Sequence, residues 1–165
     1  MILLIMGVTG AGKTSVGQLL AQQLGWEFAD ADSFHTPHNV EKMRRGIALT
    51  DEDRAPWLRA IHDAMARHSA EGRDVVLACS ALKRAYRREL RQGLDMRIVY
   101  LRGSEEFILS RLSHRTGHYA TGSLVASQFA DLEEPGADES DVLVVEINRS
   151  TEEISDEIRR QLHLA

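Results

Sequence analysis

Eight residues near the amino end, Gly7-Val8-Thr9-Gly10-Ala11-Gly12-Lys13-Thr14, satisfy the spacing G-x-x-x-x-G-K-[ST] at every defined position. A loop of this kind constrains the chain around it, because it holds phosphate only when a strand delivers it and a helix leaves it. Both flanks comply. Met1-Ile2-Leu3-Leu4-Ile5-Met6 is an unbroken apolar run suited to a strand buried on both faces. Behind the loop, Val16, Leu19, Leu20 and Leu24 recur on one face of a helix. Glycine lets backbone N–H groups close around phosphate oxygens, and the helix amino terminus adds positive potential. Gly7, Gly10, Ala11, Gly12, Lys13, Thr14 and Ser15 are therefore the expected contacts of a nucleotide's phosphates. Within them, Lys13 reaches the β- and γ-phosphates and the Thr14 hydroxyl ligates Mg²⁺.

The remaining composition narrows the setting. A chain of 165 residues is most simply one domain, residues 1–165, with a substantial core. A formal charge of −5 argues against a nucleic-acid surface. No apolar run approaches the length of a membrane span, and the first six residues read as a strand rather than a signal peptide. Cys79 is the one cysteine, which excludes an intrachain disulfide and fits a reducing cytoplasm.

In chain order, Trp26 to Asp32 reads as a second strand, with Asp30 and Asp32 on one face near its carboxyl end. Ligands of open α/β sheets sit beyond that end, so both carboxylates are expected near the phosphate loop. One can orient Mg²⁺ through water and the other can accept a proton from an attacking hydroxyl. His35 and His38 flank Pro37, which is expected to break the structure there. With no third metal ligand nearby, a hydrogen bond to a polar substrate is the expectation for His35 and surface exposure for His38. A short helix is expected over 39–45. Thr50-Asp51-Glu52-Asp53 then opens a long helix with Trp57, Leu58, Ile61, Ala64 and Met65 on its buried face. Arg54 stands in its first turn, where the dipole disfavours a cation, so it needs an acidic neighbour (Asp51 or Asp53) or an anionic ligand.

Asp74 to Ser80 is the third strand, with Cys79 as core. A basic helix follows over 81–90, partly solvated, in which Lys83 lies nearest the strand end and shares a face with Arg87. Met96 to Leu101 is the fourth strand. Ser104 opens a helix that carries Arg111, and Arg115 follows four residues later. The segment about 111–123 has the arginines and the glycine-containing loop of a lid that closes over phosphates. Leu124, Gln128, Phe129 and Leu132 mark another helix, Val142 to Ile147 a fifth strand, and Ser150-Thr151-Glu152-Glu153 the capping box of a last helix. Five apolar strands alternating with helices give a three-layer α/β/α fold around a parallel sheet.

Among phosphate-loop proteins, a GTPase would need an Asn-Lys-x-Asp segment and an Asp-x-x-Gly, and neither occurs. A motor or transport ATPase would end an apolar strand in a catalytic acid, whereas the third strand here ends Cys79-Ser80. A small-molecule kinase fits better. The segments Asp30-Ala31-Asp32-Ser33-Phe34-His35, Asn39-Val40-Glu41-Lys42-Met43 and Leu49-Thr50-Asp51-Glu52-Asp53-Arg54-Ala55-Pro56-Trp57-Leu58 are specific. So are Cys79-Ser80-Ala81-Leu82-Lys83-Arg84, Gly117-His118-Tyr119 and Glu134-Pro135-Gly136-Ala137-Asp138-Glu139. With the phosphate loop they closely resemble bacterial-type gluconokinases, the thermoresistant gluconate kinase group, over nearly the whole chain.

The resemblance implies ATP-dependent phosphorylation of D-gluconate to 6-phospho-D-gluconate. It also implies a nucleoside-monophosphate-kinase-like P-loop NTPase fold with a lid, and in many members a homodimer. By similarity to related small kinases, Asp32 is the base, Asp30 joins Thr14 at Mg²⁺, and Lys13 with Arg115 stabilises the transferring phosphoryl group. Arg111 joins Arg115 at the nucleotide, and His35, Arg54 and Lys83 supply donors to gluconate. A shikimate-type kinase is the alternative. It should carry a Gly-Gly-Gly turn where this chain has Ser80-Ala81-Leu82-Lys83.

Overall fold

A computed structural model describes residues 1–113 and 122–165. The central strand is β1 (Ile2–Met6), every residue of which is buried. Helix α1 (Lys13–Leu24) follows the glycine loop, and β2 (Glu27–Asp30) runs into a 3₁₀ turn, Ala31–Phe34. Next come α2 (Pro37–Arg44), α3 (Asp51–Ala70), β3 (Val75–Ala78), α4 (Arg84–Arg91) and β4 (Met96–Arg102). Helices α5 (Glu105–Ser113) and α6 (Gly122–Asp131), β5 (Leu143–Glu146) and α7 (Thr151–Gln161) complete the order. The strands form one parallel five-stranded sheet in the order β2-β3-β1-β4-β5. The chain reverses its direction of winding on either side of β1. That reversal opens a crevice at the carboxyl edge, where the glycine loop emerges.

Alternation along β1 assigns its side chains to two layers. Ile2, Leu4 and Met6 pack with Trp57, Ile61 and Met65 of α3 and Tyr86 and Leu90 of α4. Leu3 and Ile5 pack with Val16 and Leu20 of α1, Ile108 of α5, Val125 of α6 and Ile154 and Ile158 of α7. Each fully buried aliphatic contributes roughly 1.5–3 kcal/mol of transfer free energy, so the strand that carries the loop is firmly anchored. Gly17 shows how tightly α1 is pressed on the sheet. A Cβ there would meet the Phe28 ring at 2.8 Å. The helix therefore accepts the propensity cost of an interior glycine, about 1 kcal/mol, for that close approach.

Several boundaries differ from the sequence expectation, each for a local reason. The second strand ends at Asp30, because the Asp30 carboxylate accepts from Asp32 N–H (3.0 Å) and turns the chain into 3₁₀ geometry. Pro37 opens α2 instead of breaking structure: it sits at the first helical position, and Thr36 caps Asn39 N–H (3.1 Å). The basic helix begins at Arg84, three residues late, because Ala81 adopts φ 45° in the preceding turn. Residues 111–113 belong to α5 and 122–123 to α6, so the ends of the expected lid are helical. No helix among the described residues is long and apolar enough to cross a membrane.

Candidate active site

The glycine loop, the β2 end, the α2–α3 segment, the β3–α4 turn and α6 surround a cleft of about 910 Å³. Gly10 and Gly12 hold φ of 83° and 94°, and Gly12 caps α1 with no side-chain bond, leaving its first N–H groups to the cleft. Thr9, Gly10, Gly12, Lys13, Thr14 and Ser15 line it. Gly7 and Ala11 lie behind the wall. Gly7 N–H bonds Ser80 C=O (3.3 Å), and Ala11 is buried. Lys13 Nζ donates to Val8 C=O (2.9 Å), bending the side chain over its own loop. Burial lowers the Lys13 pKa, and Asp32 and, more weakly, Asp30 oppose that shift. Lysine and both aspartates are therefore electrostatic neighbours, although Asp30 and Asp32 do not share a strand face.

Elsewhere in the cleft wall, the His35 ring stacks on Trp57, with centroids 4.4 Å apart and planes 8° from parallel. Trp57 is fixed by its indole N–H to Ala31 C=O (2.8 Å). Burial lowers the His35 pKa, with Asp32 opposing and Arg54 reinforcing the shift, so the ring is neutral at physiological pH. Arg54 lines the cleft, but neither expected acidic neighbour forms an ion pair with it, although its charge helps to lower the Asp51 pKa. Asp53 is taken by the α3 capping box, Lys42 and His38, which together depress its pKa. Arg54 instead donates to the Tyr86 hydroxyl (3.1 Å), lies over its ring (5.6 Å) and faces Asp131 at 3.7 Å. The Tyr86 hydroxyl in turn donates a short bond to Asp51, which Lys83 also holds (3.1 Å).

Lys83 does not line the cleft; it stands behind Tyr86 and anchors Asp51. Arg87, expected on the same partly solvated face as Lys83, is 1% exposed. All five of its N–H donors are used, on Ala81, Leu82 and Glu133 carbonyls and on both oxygens of Glu139. That fan of bonds holds the left-handed Ala81 turn, a conformation that costs a non-glycine residue about 1–2 kcal/mol. Arg111 reaches the loop, donating to Gly10 C=O at 3.3 Å. Arg115 lies outside the described residues. Cys79 is buried and its thiol is pushed up to about 12, mainly by desolvation, which makes it core and not a nucleophile. His38 is exposed, as expected.

Sequence reasoning missed Tyr86, Asp131 and Gln128 as parts of the cleft. Gln128 Oε1 accepts from Thr9 N–H of the loop at 2.6 Å, across 119 residues. Nothing local distinguishes these positions. Trp57 was legible only as a core residue, and the Asp-Arg-x-Pro-Trp spacing was the signal that it does more.

Among the described residues no group of three or more His, Cys, Asp or Glu could hold a metal by itself. The donor set still suits Mg²⁺, which takes oxygen ligands and is bound by one or two protein groups plus phosphates and water. Thr14 and Asp30 bring a hydroxyl and a carboxylate to one cleft.

A phosphate loop at the switch point of a parallel sheet, facing carboxylates and basic side chains across one cleft, defines a P-loop small-molecule kinase. The profile of the family described as Shikimate kinase matches residues 9–163. A gluconokinase of Gluconobacter oxydans is 49% identical over 138 residues, covering 83% of this chain and 78% of that protein. The thermoresistant gluconokinase of Escherichia coli is 43% identical, over 92% and 87% of the two chains. The crystal structure of a gluconokinase from Sinorhizobium meliloti superposes with a TM-score of 0.88 at 40% identity, over 98% of this chain and 90% of that one. The chain belongs to the gluconokinase family, within the shikimate-kinase-like group.

Proposed function

We propose that this enzyme transfers the γ-phosphoryl group of ATP to the 6-hydroxyl of D-gluconate, giving 6-phospho-D-gluconate and ADP. The observation that carries this reading is one cleft in which the phosphate loop faces Asp32, His35 and Arg54. Gluconate offers one carboxylate and five hydroxyls, so it needs cations and donors beside an acceptor, which is the mixture present. Relatives named gluconokinase support the same acceptor.

In this reading Asp32 takes the proton of the attacking hydroxyl. That oxygen bonds to the γ-phosphorus as the bond to the ADP oxygen breaks in line. Lys13 and the loop N–H groups carry the charge that develops on the transferring group, with Arg111 and Arg115 closing over it as part of a lid at about 111–123. Thr14 and Asp30 would hold Mg²⁺, which supplies charge neutralisation between the phosphates when bound. Arg54 pairs with the gluconate carboxylate, and His35 donates to a substrate oxygen. Lys83 acts one step back, through Asp51 and Tyr86. A cytoplasmic location fits a single buried cysteine, and a homodimer is the expectation to check by light scattering.

The test is ADP release from Mg·ATP with D-gluconate, shikimate, a nucleoside monophosphate or no acceptor. Strong stimulation by gluconate alone supports the proposal. Stimulation by shikimate, or none above the blank, overturns it. The Ser80-Ala81-Leu82-Lys83 turn, built on Arg87 instead of three glycines, favours the first result.

A further inference from the structure

Asn39 is fully buried in α2 and does not itself line the cleft, yet it stands seven residues beyond Asp32, with His35 of the cleft wall between them. Its side-chain nitrogen makes two bonds. One goes to the Asp53 carbonyl at 2.8 Å and the other to His35 Nδ1 at 3.3 Å. A backbone carbonyl only accepts, so the Asp53 bond fixes which end of the amide is NH₂. The second N–H is then aimed at His35 Nδ1, which must present a lone pair to receive it. A neutral imidazole that accepts at Nδ1 carries its proton at Nε2.

Three contacts surround the residue in this orientation. Trp57 stacks on its face, the His35 backbone N–H bonds Asp32 C=O (3.4 Å), and Asn39 occupies the Nδ1 edge. Thr36 caps the Asn39 N–H, so the amide itself is held at the first turn of α2. We infer that Asn39 is a positioning residue that locks His35 in its Nε2–H tautomer, making the ring a one-way hydrogen-bond donor to an oxygen of the polyhydroxy acid. This rests on the gluconate reading for the identity of the acceptor, but the tautomer itself does not depend on it. A donor-only ring selects substrate oxygens that can accept. A ring free to exchange tautomers would also tolerate an oxygen turned to donate.

The first test is a long-range ¹H–¹⁵N spectrum of the full-length wild-type enzyme at about pH 7.5, one unit above the ordinary imidazole value. His35 is assigned by its loss in His35→Gln. The Nε2–H pattern is expected. An Nδ1–H pattern, or an imidazolium, overturns the inference without any variant having to fold. The second test is Asn39→Asp, whose carboxylate can only accept and so draws a proton to Nδ1. The wild-type Nε2–H pattern should vanish, and KM for gluconate should rise about tenfold with KM for ATP unchanged. Asn39→Ala, which removes the clamp without adding charge, should give mixed tautomers and a rise of about threefold. His35→Leu, which removes the donor, should raise KM for gluconate about tenfold. A changed tautomer with unchanged KM sinks the donor role. A wild-type enzyme with the Nε2–H pattern but no gluconate turnover sinks the gluconate reading and leaves the clamp standing.

Discussion

The two walls of the cleft are built by different means. The nucleotide wall is local: a buried strand, a loop with two left-handed glycines and the helix that follows lie within the first 24 residues. In the proposed reading its phosphate-binding groups are largely backbone N–H, and its position is set by β1, which has no exposed residue. The acceptor wall is assembled from distant side chains. Arg54 meets Tyr86 across 32 residues, Lys83 meets Asp51 across 32, and Arg87 meets Glu139 across 52. A backbone site can be shared by many kinases because it reads only phosphate. A side-chain network can be rewired to read one acceptor, and here it includes a turn that arginine, rather than glycine, holds in place.

If that division is right, the largest catalytic effect comes where the walls meet. Asp32→Asn should lower turnover by about 10²–10⁴ while changing KM for ATP less than twofold, measured by steady-state kinetics. Equal loss of turnover and ATP affinity would place Asp32 in the nucleotide wall and blur the comparison. Arg87→Met should be the largest structural effect. It strands the Glu139 carboxylate, 10% exposed, and releases the Ala81 turn, a loss of about 3–5 kcal/mol by urea denaturation. An unchanged midpoint would show that the acceptor wall needs no such brace.

Arg54→Met should raise KM for gluconate about 10–100-fold, the range for a charge-assisted bond, with ATP binding intact. Smallest is the pH effect. Hydrogen bonds from Tyr86 and Lys83 depress the Asp51 pKa, as those from Lys42 and Thr50 do for Asp53. The unfolded chain therefore binds more protons near pH 4 than the folded one, so the stability these groups add is present at neutral pH and fades as pH falls below about 5. His35, lowered by burial, acts in the same direction below about pH 6.5. Thermal melts from pH 7.5 to 4 should fall with acid, and Asp53→Asn should flatten the lower part of the slope.

The same contrast explains what could be read in the sequence. The parallel sheet, the helix start at Thr50, the Ser150 capping box and the glycine loop rest on periodicity and spacing within a dozen residues, and the structure bears them out. Asp30 and Asp32 were placed at the right edge, but by a continued strand. Only the local Asp30-to-Asp32 bond, which competes with the ladder, tells the two geometries apart. Arg87 looked like one charge in a basic run. Its burial depends on a carbonyl supplied 46 residues later and a carboxylate supplied 52 residues later, which no local window contains. Arg54 was rightly seen to need a partner, and that partner came from α4 and α6 because Asp53 was already committed to capping α3.

The most direct test of the whole account is ³¹P NMR of the product formed from Mg·ATP and D-gluconate. The account predicts one new phosphomonoester signal, split by the two protons of C6, growing in step with ADP. ADP without that signal, or a phosphoryl group on any other carbon, would contradict the assignment of this cleft to the terminal hydroxyl of gluconate.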